Sequence, residues 1–462
     1  MCFIVGGIDI SKEDIESILP KMSIRGRDGY GYFLSSRDKK IMILKSEKNP
    51  ETIKNPLPVQ PFVFLANSRA TPTTEYETGA GFSIENQQPF TDNKKRFYVV
   101  HNGIIANDKE LVKKYNLKVS CKVDSAILPY LFDKVGVVEG LKELKGSYAI
   151  LCYDTQEQIF YAAKNFMPLV FFITEKGFGF SSMFEGIRDI ECERAVEVNP
   201  YICLKIDMTK EEIEAFSLYP REQNKKVLVI CSSGADSATT AYVYKHLGYE
   251  VGLIHFKYGQ AAEAAEELCV KRLAKKLNAK LFVYDAKSIF GIFKQNSLLL
   301  SQKTPDKKKQ MLDAESTLSY VPNRNAIMAM VSAGVAEINK YDTIAMGLQQ
   351  MDSVYPDNNP GMVDKVDNLL KYSLNWGTNI HFAAPCVHLI KHEIFSLGKK
   401  LGIDFINDST SCYYPKIKDG KVVSCNSCGC CQFKNTALKM IKEKDFIGDV
   451  DTFINKYVKP FV

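Results

Sequence analysis

The chain has 462 residues, which is long enough for two or three domains that each bury a core of their own. Its composition, with 45% hydrophobic and 25% charged residues, is ordinary for a soluble globular chain. The net charge of +6, from 60 basic and 54 acidic residues, is too small to indicate a nucleic-acid-binding protein by itself.

No apolar run is long enough to span a bilayer, and the first residues lack the basic start and long apolar centre of a signal peptide. The 13 cysteines then indicate a reducing compartment, where metal binding or catalysis is more common than disulfide formation. We therefore expect a cytoplasmic protein with no membrane partner.

Cys2 is a candidate nucleophile. Removal of Met1 would leave its thiol beside a free α-amine. The amine has a reference pKa of about 7.7–8.0, so it could act as the base for its own thiol. Taken alone, however, a cysteine at position 2 is more simply read as a residue without a catalytic role.

The segments that follow favour a catalytic role for Cys2. A predicted strand over 61–66 leads into Asn67-Ser68-Arg69, and Asn86-Gln87-Gln88-Pro89-Phe90 comes next. A strand over 96–100 then runs into His101-Asn102-Gly103, where Asn-Gly between apolar runs by itself predicts a type I′ turn. Short strands predicted at 147–153, 158–163, 169–174 and 177–182, with a closing hairpin over 196–206, are typical of an antiparallel layered fold.

In this order and spacing, these pieces together with Cys2 and Asp124-Ser125 resemble the class II, N-terminal-nucleophile glutamine amidotransferases over residues 1–210. The resemblance implies an αββα N-terminal-nucleophile (Ntn) hydrolase layer fold. It implies that Cys2 attacks the side-chain amide of glutamine and that Asn102 and the Gly103 N–H form the oxyanion hole. It also implies that Arg69 binds the glutamine α-carboxylate and that Asp124 accepts from its α-ammonium group. Residues 211–225 are predicted to be a linker.

The second half, residues 226–462, begins with an apolar strand over 227–231, a small-residue loop, Ser232–Ser237, and a helix predicted from Ala238 to Leu247. Backbone N–H groups at a helix start lack intrahelical partners and the helix dipole adds positive character, so the loop could cradle an anion. The same pattern is equally typical of an ordinary strand-turn-helix. Further strands at 251–256, 280–284 and 342–347, alternating with helices at 261–277 and 326–338, predict a doubly wound parallel sheet with its ligands near this loop. The less regular residues 289–317 could be a lid or a surface insertion.

Four cysteines near the end of the chain have the spacing of a metal site. Three of them are separated by two residues each, and the fourth lies upstream, which predicts a closed tetrathiolate zinc site formed by Cys412, Cys425, Cys428 and Cys431. Cys430 is an extra thiol that could replace one of these ligands.

The loop Ser-Ser-Gly-Ala-Asp-Ser resembles the Ser-Gly-Gly-x-Asp-Ser loop of the ATP-pyrophosphatase superfamily, with Ser233 in place of the usual first glycine. Together with Phe256–Gln260, Val321–Asn325, Tyr355-Pro-Asp and the four cysteines, it resembles 7-cyano-7-deazaguanine synthase over nearly the whole second half. That family activates 7-carboxy-7-deazaguanine with ATP, and ammonia gives first an amide and then a nitrile. The resemblance implies zinc and ATP with Mg²⁺ as cofactors; it places ATP at Ser232, Ser233, Gly234, Asp236 and Ser237, and the base near Arg324, Asn325 and Asp352.

The chain is thus expected to be a C–N ligase of α+β and α/β architecture, an Ntn layer fold followed by a Rossmann-like ATP-pyrophosphatase domain. A glutaminase on the same chain would supply neutral ammonia for making the 7-amido or 7-cyano base used in tRNA or phage DNA modification, in the host cytoplasm if the chain is phage-encoded. Archaeosine-type amidination of a nitrile base in tRNA, asparagine-synthetase-like amidation and a non-catalytic zinc-containing nucleic-acid-binding protein remain alternatives. The expected partners are glutamine, ATP and a 7-deazaguanine, with tRNA and a homodimer left open.

Overall fold

A computed structural model of the protein describes residues 2–53, 57–70, 83–119, 121–219, 224–296, 320–350, 356–375 and 378–462. They form two compact units, one ending near residue 221 and the other containing nearly all of the chain from residue 222 onward. None of the helices in these ranges is both long enough and apolar enough to cross a membrane. Most of the predicted lid or insertion lies in 297–319, outside the described residues.

The first unit is built on two antiparallel sheets. Its strands are β1 Phe3–Ile8, β2 Tyr30–Ser35, β3 Ile41–Ser46, β4 Val63–Ser68, β5 Phe90–Thr91, β6 Phe97–Ile105, β7 Gly146–Asp154, β8 Ile159–Lys164, β9 Val170–Ile173, β10 Phe178–Ser181, β11 Arg194–Glu197, β12 Ile202–Asp207 and β13 Glu212–Ser217. One sheet has seven strands in the order β11-β9-β10-β1-β4-β2-β3, and the other has six in the order β13-β12-β8-β7-β6-β5.

Side-chain alternation along these strands separates an inner core from two outer ones. Ile4 of β1 packs between the sheets with Val100 of β6, whereas Phe3 faces outward with Ile15. The outer faces are covered by α1 Lys12–Lys21 on the seven-stranded sheet and by α2 Asp108–Tyr115, α3 Leu128–Val135 and α4 Val137–Lys142 on the six-stranded sheet. The layers are therefore helix, sheet, sheet and helix, which confirms the predicted αββα fold.

Three local predictions in this unit are wrong. Asn102-Gly103 is not a turn, because β6 continues through both residues and pairs with Ala149 and Tyr148 of β7. The segment over 196–206 is not a hairpin, because β11 pairs with β9 in one sheet while β12 pairs with β8 in the other. Part of the predicted linker is strand β13, an exposed edge strand that pairs with β12. Its polar composition does not reveal this pairing.

The second unit contains a parallel sheet of five strands. They are β14 Lys226–Ile230, β15 Glu250–Lys257, β16 Lys280–Asp285, β17 Thr343–Met346 and β18 His381–Ala383, in the order β16-β15-β14-β17-β18. The described helices are α5 Ala235–His246, α6 Glu263–Leu277, α7 Lys287–Phe290, α8 Arg324–Asn339, α9 Pro360–Ser373, α10 Lys391–Lys400, α11 Gly429–Glu443 and α12 Val450–Tyr457. A short hairpin, β19 Lys416–Lys418 and β20 Lys421–Val423, precedes α11.

Helices cover both faces of this sheet. Leu228 packs with Ala329 of α8 on one face, and Val229 packs with Ala238 of α5 and Leu273 of α6 on the other. The strand order reverses between β14 and β17, and ligands of doubly wound sheets bind beyond the carboxyl ends of the strands at this point. The predicted doubly wound sheet is therefore confirmed.

Candidate active sites of the two units

Cys2 immediately precedes β1 and is partly exposed. The pairing of β1 with β4 matches Phe3 with Ser68, so the same register continued by one residue leads from Cys2 to Arg69. Even-numbered residues of β1 face the layer between the sheets, as Ile4 does. Cys2 thus stands at the end of β1 where the inter-sheet layer begins.

Asn102 also belongs to the inter-sheet layer, because it follows Tyr98 and Val100 on the same face of β6. Its side chain is fully buried, yet neither the amide oxygen nor the amide nitrogen has a hydrogen-bond partner in the described protein. Leaving a buried polar group unpaired costs about 1–3 kcal/mol. Such an orphaned amide is suited to a polar ligand atom.

The backbone next to Asn102 offers a second donor. Odd-numbered residues of β6 direct their N–H groups away from β7, and the two on either side of Gly103 are capped: His101 N–H by Gln88 Oε1 at 2.6 Å and Ile105 N–H by Asp124 Oδ2 at 2.7 Å. Within the described residues no acceptor takes the Gly103 N–H between them. Gly103 has a φ of +143°, and a Cβ there would overlap the Ser147 carbonyl, so this backbone position admits only glycine. Asn102 and Gly103 together could donate two hydrogen bonds to one oxyanion.

The two residues predicted to hold glutamine are anchored by neighbouring loops. Arg69 is 4% exposed and its guanidinium donates to the Asn86 carbonyl. Asp124 receives Ile105 N–H on one oxygen and Ser125 N–H, at 2.7 Å, on the other. Asp124 therefore fixes the end of β6, and a ligand ammonium group would share oxygens that already accept these bonds.

Several buried groups around this end of the sandwich lie in the segments that carry the resemblance, but no role was predicted for them. In the part of the chain that the structure describes, the amide oxygen of Asn67 in β4 and both amide atoms of the fully buried Gln87 have no hydrogen-bond partner. His101 is buried with Nδ1 2.7 Å from Ser125 Oγ, and this burial lowers the pKa of its imidazole below the ordinary value. No short-range signal distinguishes such residues, because their unsatisfied state arises only when the sheets pack.

In the second unit, the phosphate loop connects β14 to α5. The helix begins at Ala235, three residues earlier than predicted, so Asp236 and Ser237 lie in its first turn and Gly234 is the N-cap. Ser232 Oγ lies 3.3 Å from Gly234 N and 3.5 Å from Ser237 Oγ, and Ser411 Oγ accepts from Ala235 N–H at 3.2 Å. The loop thus combines hydroxyls with N–H groups at a helix start, which is the chemistry of a phosphate site.

Ser233, the residue that replaces the usual glycine, has a φ of +63°. For a residue with a Cβ, this left-handed conformation costs roughly 1–2 kcal/mol. Its buried side chain is directed toward the Glu266 carbonyl, 3.5 Å from Ser233 Oγ, and it does not line the cavity described below. The extra Cβ therefore does not obstruct the cradle.

A lysine that sequence reasoning did not assign lies next to the loop. Lys391, the first residue of α10, donates to both oxygens of Asp236 at 2.9 and 2.7 Å. Both side chains are largely buried and line the same cavity as Ser232 and Ser237. A cation in this position could also contact a bound phosphate.

The cavity has a volume of about 230 Å³ and brings together segments that are far apart in the chain. The phosphate-loop residues Ser232, Gly234, Asp236 and Ser237 line it together with Arg324 and Asn325 from the first turn of α8. Asn325 is fixed by Asp357, which accepts its N–H at 3.0 Å and its side-chain amide at 2.8 Å. Asp352, the third predicted base-binding residue, lies outside the described residues.

Two further cavity residues, His255 and Glu266, were not predicted. His255 Nδ1 lies 3.0 Å from the Cys231 carbonyl, which can only accept, so Nδ1 carries the proton. Nε2 is then an acceptor, and no described residue bonds to it. Burial lowers the pKa of His255, which keeps the ring neutral. Burial also raises the pKa of Glu266 to about 7.

The four predicted cysteines meet beside this cavity. The sulfurs of Cys412, Cys425, Cys428 and Cys431 all lie within 4.8 Å of one another, with separations of 3.4 and 3.9 Å for two of the pairs. Four sulfurs at about 2.3 Å from one zinc ion would be roughly 3.8 Å apart, so the donor set fits a tetrahedral zinc ion. Cys430 is not part of this group and instead lines the cavity.

Each unit matches a different family. Residues 82–189 match a family model described as a glutamine amidotransferase domain, and residues 226–442 match one described as queuosine biosynthesis protein QueC. The fold, the sites and these matches define an enzyme in which a glutamine amidotransferase is fused to a QueC domain.

Relatives that match this chain along nearly its whole length identify its family. The chain is 32% identical over 471 residues to the 7-cyano-7-deazaguanine synthase of Saccharolobus solfataricus, covering 96% of this chain and 98% of that protein. It is also 32% identical to 7-cyano-7-deazaguanine synthase 2 of Sulfurisphaera tokodaii, covering 95% and 98%. A shorter relative of the same name from Nitratiruptor is 31% identical over 223 residues, or 48% of this chain and 97% of its own length. The chain belongs to the 7-cyano-7-deazaguanine synthase family.

Proposed function

We propose that this enzyme uses glutamine and ATP to convert 7-carboxy-7-deazaguanine, through the 7-amide, into the 7-cyano base for modified-nucleoside biosynthesis. The observation that carries the proposal is the cavity of the second unit, where a phosphate loop and Arg324 and Asn325 of α8 line one space. The names of the full-length relatives point to the same chemistry.

In the first unit, the Cys2 thiol would attack the side-chain amide carbon of glutamine while the freed α-amine takes the thiol proton. Asn102 and the Gly103 N–H would stabilise the oxyanion, a role supported by the lack of any partner for this buried amide and this N–H among the described residues. Collapse of this intermediate releases ammonia, and water then hydrolyses the thioester to glutamate. Arg69 and Asp124 would bind the α-carboxylate and α-ammonium groups.

In the second unit, the 7-carboxylate would attack the α-phosphate of ATP, which forms an acyl adenylate and releases pyrophosphate. Ser232, Gly234 and Ser237 would hold the phosphates, with Lys391 adding a positive charge beside them. Ammonia displaces AMP to form the amide. A second ATP would activate the amide oxygen, and loss of AMP and a proton then leaves the nitrile.

Zinc would be held by Cys412, Cys425, Cys428 and Cys431, where a closed four-thiolate site supplies structural cross-linking. These four ligands join the segment after α10 to the start of α11, and Cys412 lies in the cavity wall. Metal binding would therefore hold one side of the nucleotide cavity in place.

The test is product analysis by mass spectrometry after incubation of the protein with ATP, glutamine and 7-carboxy-7-deazaguanine. We expect the 7-cyano base together with AMP and pyrophosphate. Accumulation of the amide alone would show that the enzyme catalyses amide formation but not the conversion of the amide into the nitrile. Turnover only of nitrile-bearing tRNA would favour archaeosine-type amidination, and turnover of aspartate would favour the asparagine-synthetase alternative. No turnover of any of these acceptors would contradict the proposal.

A further inference from the structure

The cavity of the second unit contains two acidic side chains in different electrostatic situations. Asp236 is neutralised by Lys391, which donates to both of its oxygens. Glu266, on α6, accepts from Gln260 Nε2 at 2.8 Å, and the described residues provide no second donor and no ion-pair partner for it. Glu266 is thus an acid in a ligand cavity with spare acceptor capacity.

The orientation of Glu266 is fixed by the residues around it. Gln260 Oε1 accepts from Tyr258 N–H at 2.9 Å, which places Nε2 of the same amide toward the Glu266 carboxyl. The Arg324 guanidinium approaches from α8 and contacts Tyr258 Oη at 3.5 Å, at the limit of hydrogen bonding. One carboxyl oxygen is therefore engaged, while the group as a whole faces the cavity.

We propose that Glu266 is the specificity-determining residue that recognises the guanine-like edge of the substrate, an inference that rests on the function proposed above. A guanine-type edge presents two adjacent donors, N1–H and the 2-amino group. An ionised carboxylate presents two acceptors with matching spacing, and bidentate pairs of this kind are the strong ones. Gln260 holds the carboxylate in position through its hydrogen bond to Oε2.

The alternative ligand for the same carboxyl is the adenine of ATP, which requires the opposite protonation state. Adenine presents a donor, the 6-amino group, beside an acceptor, N1. A neutral carboxylic acid or an amide matches that pattern, whereas a carboxylate does not. The two assignments therefore predict different responses to Glu266→Gln and to pH.

The first experiment compares binding of two ligands to the full-length protein by calorimetry. The ligands are 7-carboxy-7-deazaguanine and a non-hydrolysable ATP analogue, each measured with wild type and E266Q. We expect E266Q to bind the deazaguanine about ten- to a hundredfold more weakly, because the NH₂ group of the glutamine side chain would face a hydrogen-bond donor of the base. Binding of the ATP analogue should stay within twofold of wild type.

Glu267→Gln is the matched control. Glu267 is the next residue of α6 and pairs with Lys257 and Lys271, outside the residues that line the cavity. The same change in charge at this position should leave the affinity for both ligands unaltered. An E267Q effect as large as that of E266Q would show that the loss reflects net charge or helix stability, and would overturn the assignment.

The second experiment uses wild type alone, so it does not depend on the folding of a variant. Burial raises the pKa of Glu266 to about 7; the hydrogen bond from Gln260 and the charge of Arg324 partly oppose this shift, and Glu263 of the same helix reinforces it. Two other buried acids facing this region, Tyr258 and Cys231, stay protonated between pH 6 and 8, because burial raises the pKa of both; burial lowers the pKa of His255 and so disfavours its charged form. If the carboxylate is the binding form, affinity for the deazaguanine should fall about tenfold from pH 8 to pH 6.

Three outcomes separate the hypotheses. Deazaguanine affinity that is independent of pH, or equal in wild type and E266Q, contradicts the role of Glu266 while leaving the proposed function intact. Weaker binding of the ATP analogue at high pH assigns Glu266 to adenine instead. A wild-type protein that binds no deazaguanine at any pH contradicts both the inference and the proposed function.

Discussion

Substitution of Asn102 by leucine is expected to change activity and stability in opposite directions. Leucine has nearly the shape of asparagine but no polar atoms. Asn102 is fully buried and neither of its amide atoms is paired with a described residue, so the substitution removes the cost of burying them, about 1–3 kcal/mol. For a unit of this size, that corresponds to an increase of roughly 2–10 °C in the melting temperature.

The same substitution should abolish most of the glutaminase activity. Loss of one oxyanion-hole donor typically lowers kcat by about 10²–10³-fold. Glutamate release measures this directly, and scanning calorimetry measures the stability of the first unit. Activity with ammonium salts, which bypasses the first unit, should be unchanged.

Asn165→Leu is the matched control. Asn165 is also buried, but its amide accepts from Tyr148 N–H at 3.0 Å and donates to the Gly146 carbonyl at 2.8 Å. The same amide oxygen also accepts from Met167 N–H at 3.3 Å, so the substitution leaves three backbone groups unpaired and should destabilise the unit by about 2 kcal/mol or more. A loss of stability in N102L similar to that in N165L would refute the view that Asn102 is held for a ligand, and an unchanged glutaminase rate would refute its role in the oxyanion hole.

The remaining predictions concern the nucleophile, the metal and pH. Cys2→Ala should abolish glutamine-dependent synthesis but preserve the ammonium-dependent rate within about twofold, and equal loss with both nitrogen sources would contradict a two-site scheme. Cys428→Ser should lose stoichiometric zinc in metal analysis, whereas Cys430→Ser, outside the four-sulfur cluster, should retain it. Because burial lowers the pKa of His101 in the folded state, the unfolded chain binds the extra proton below about pH 6.5. The free energy of unfolding should therefore fall with decreasing pH in this range, by up to about 1.4 kcal/mol per pH unit. Denaturant titrations at several pH values should show a weaker pH dependence for His101→Gln, and an unchanged pH dependence would contradict the assignment to His101.

Several features of the protein were already determined by short stretches of sequence. The loop from Ser232 to Ser237 combines a strand, small polar residues and a helix start within a dozen positions, and hydrogen bonding at helix ends is a local property. The Cys-x-x-Cys spacing likewise acts over a few residues, and the four sulfurs do converge. Short apolar or alternating segments were sufficient to predict β4, β6 to β10 and four of the five strands of the parallel sheet, β14 to β17.

Only the tertiary structure decided which distant residues share a site. The continuation of β6 through Asn102-Gly103 overrides a strong local turn signal, because Ala149 and Tyr148 of β7 supply the pairing. Lys391 reaches Asp236 across 155 positions, and Glu266 faces the cavity because α6 packs against β15. Burial, unpaired polar atoms and shifted pKa values depend on the surroundings of a side chain in space, and these surroundings exist only after the sheets and helices have packed.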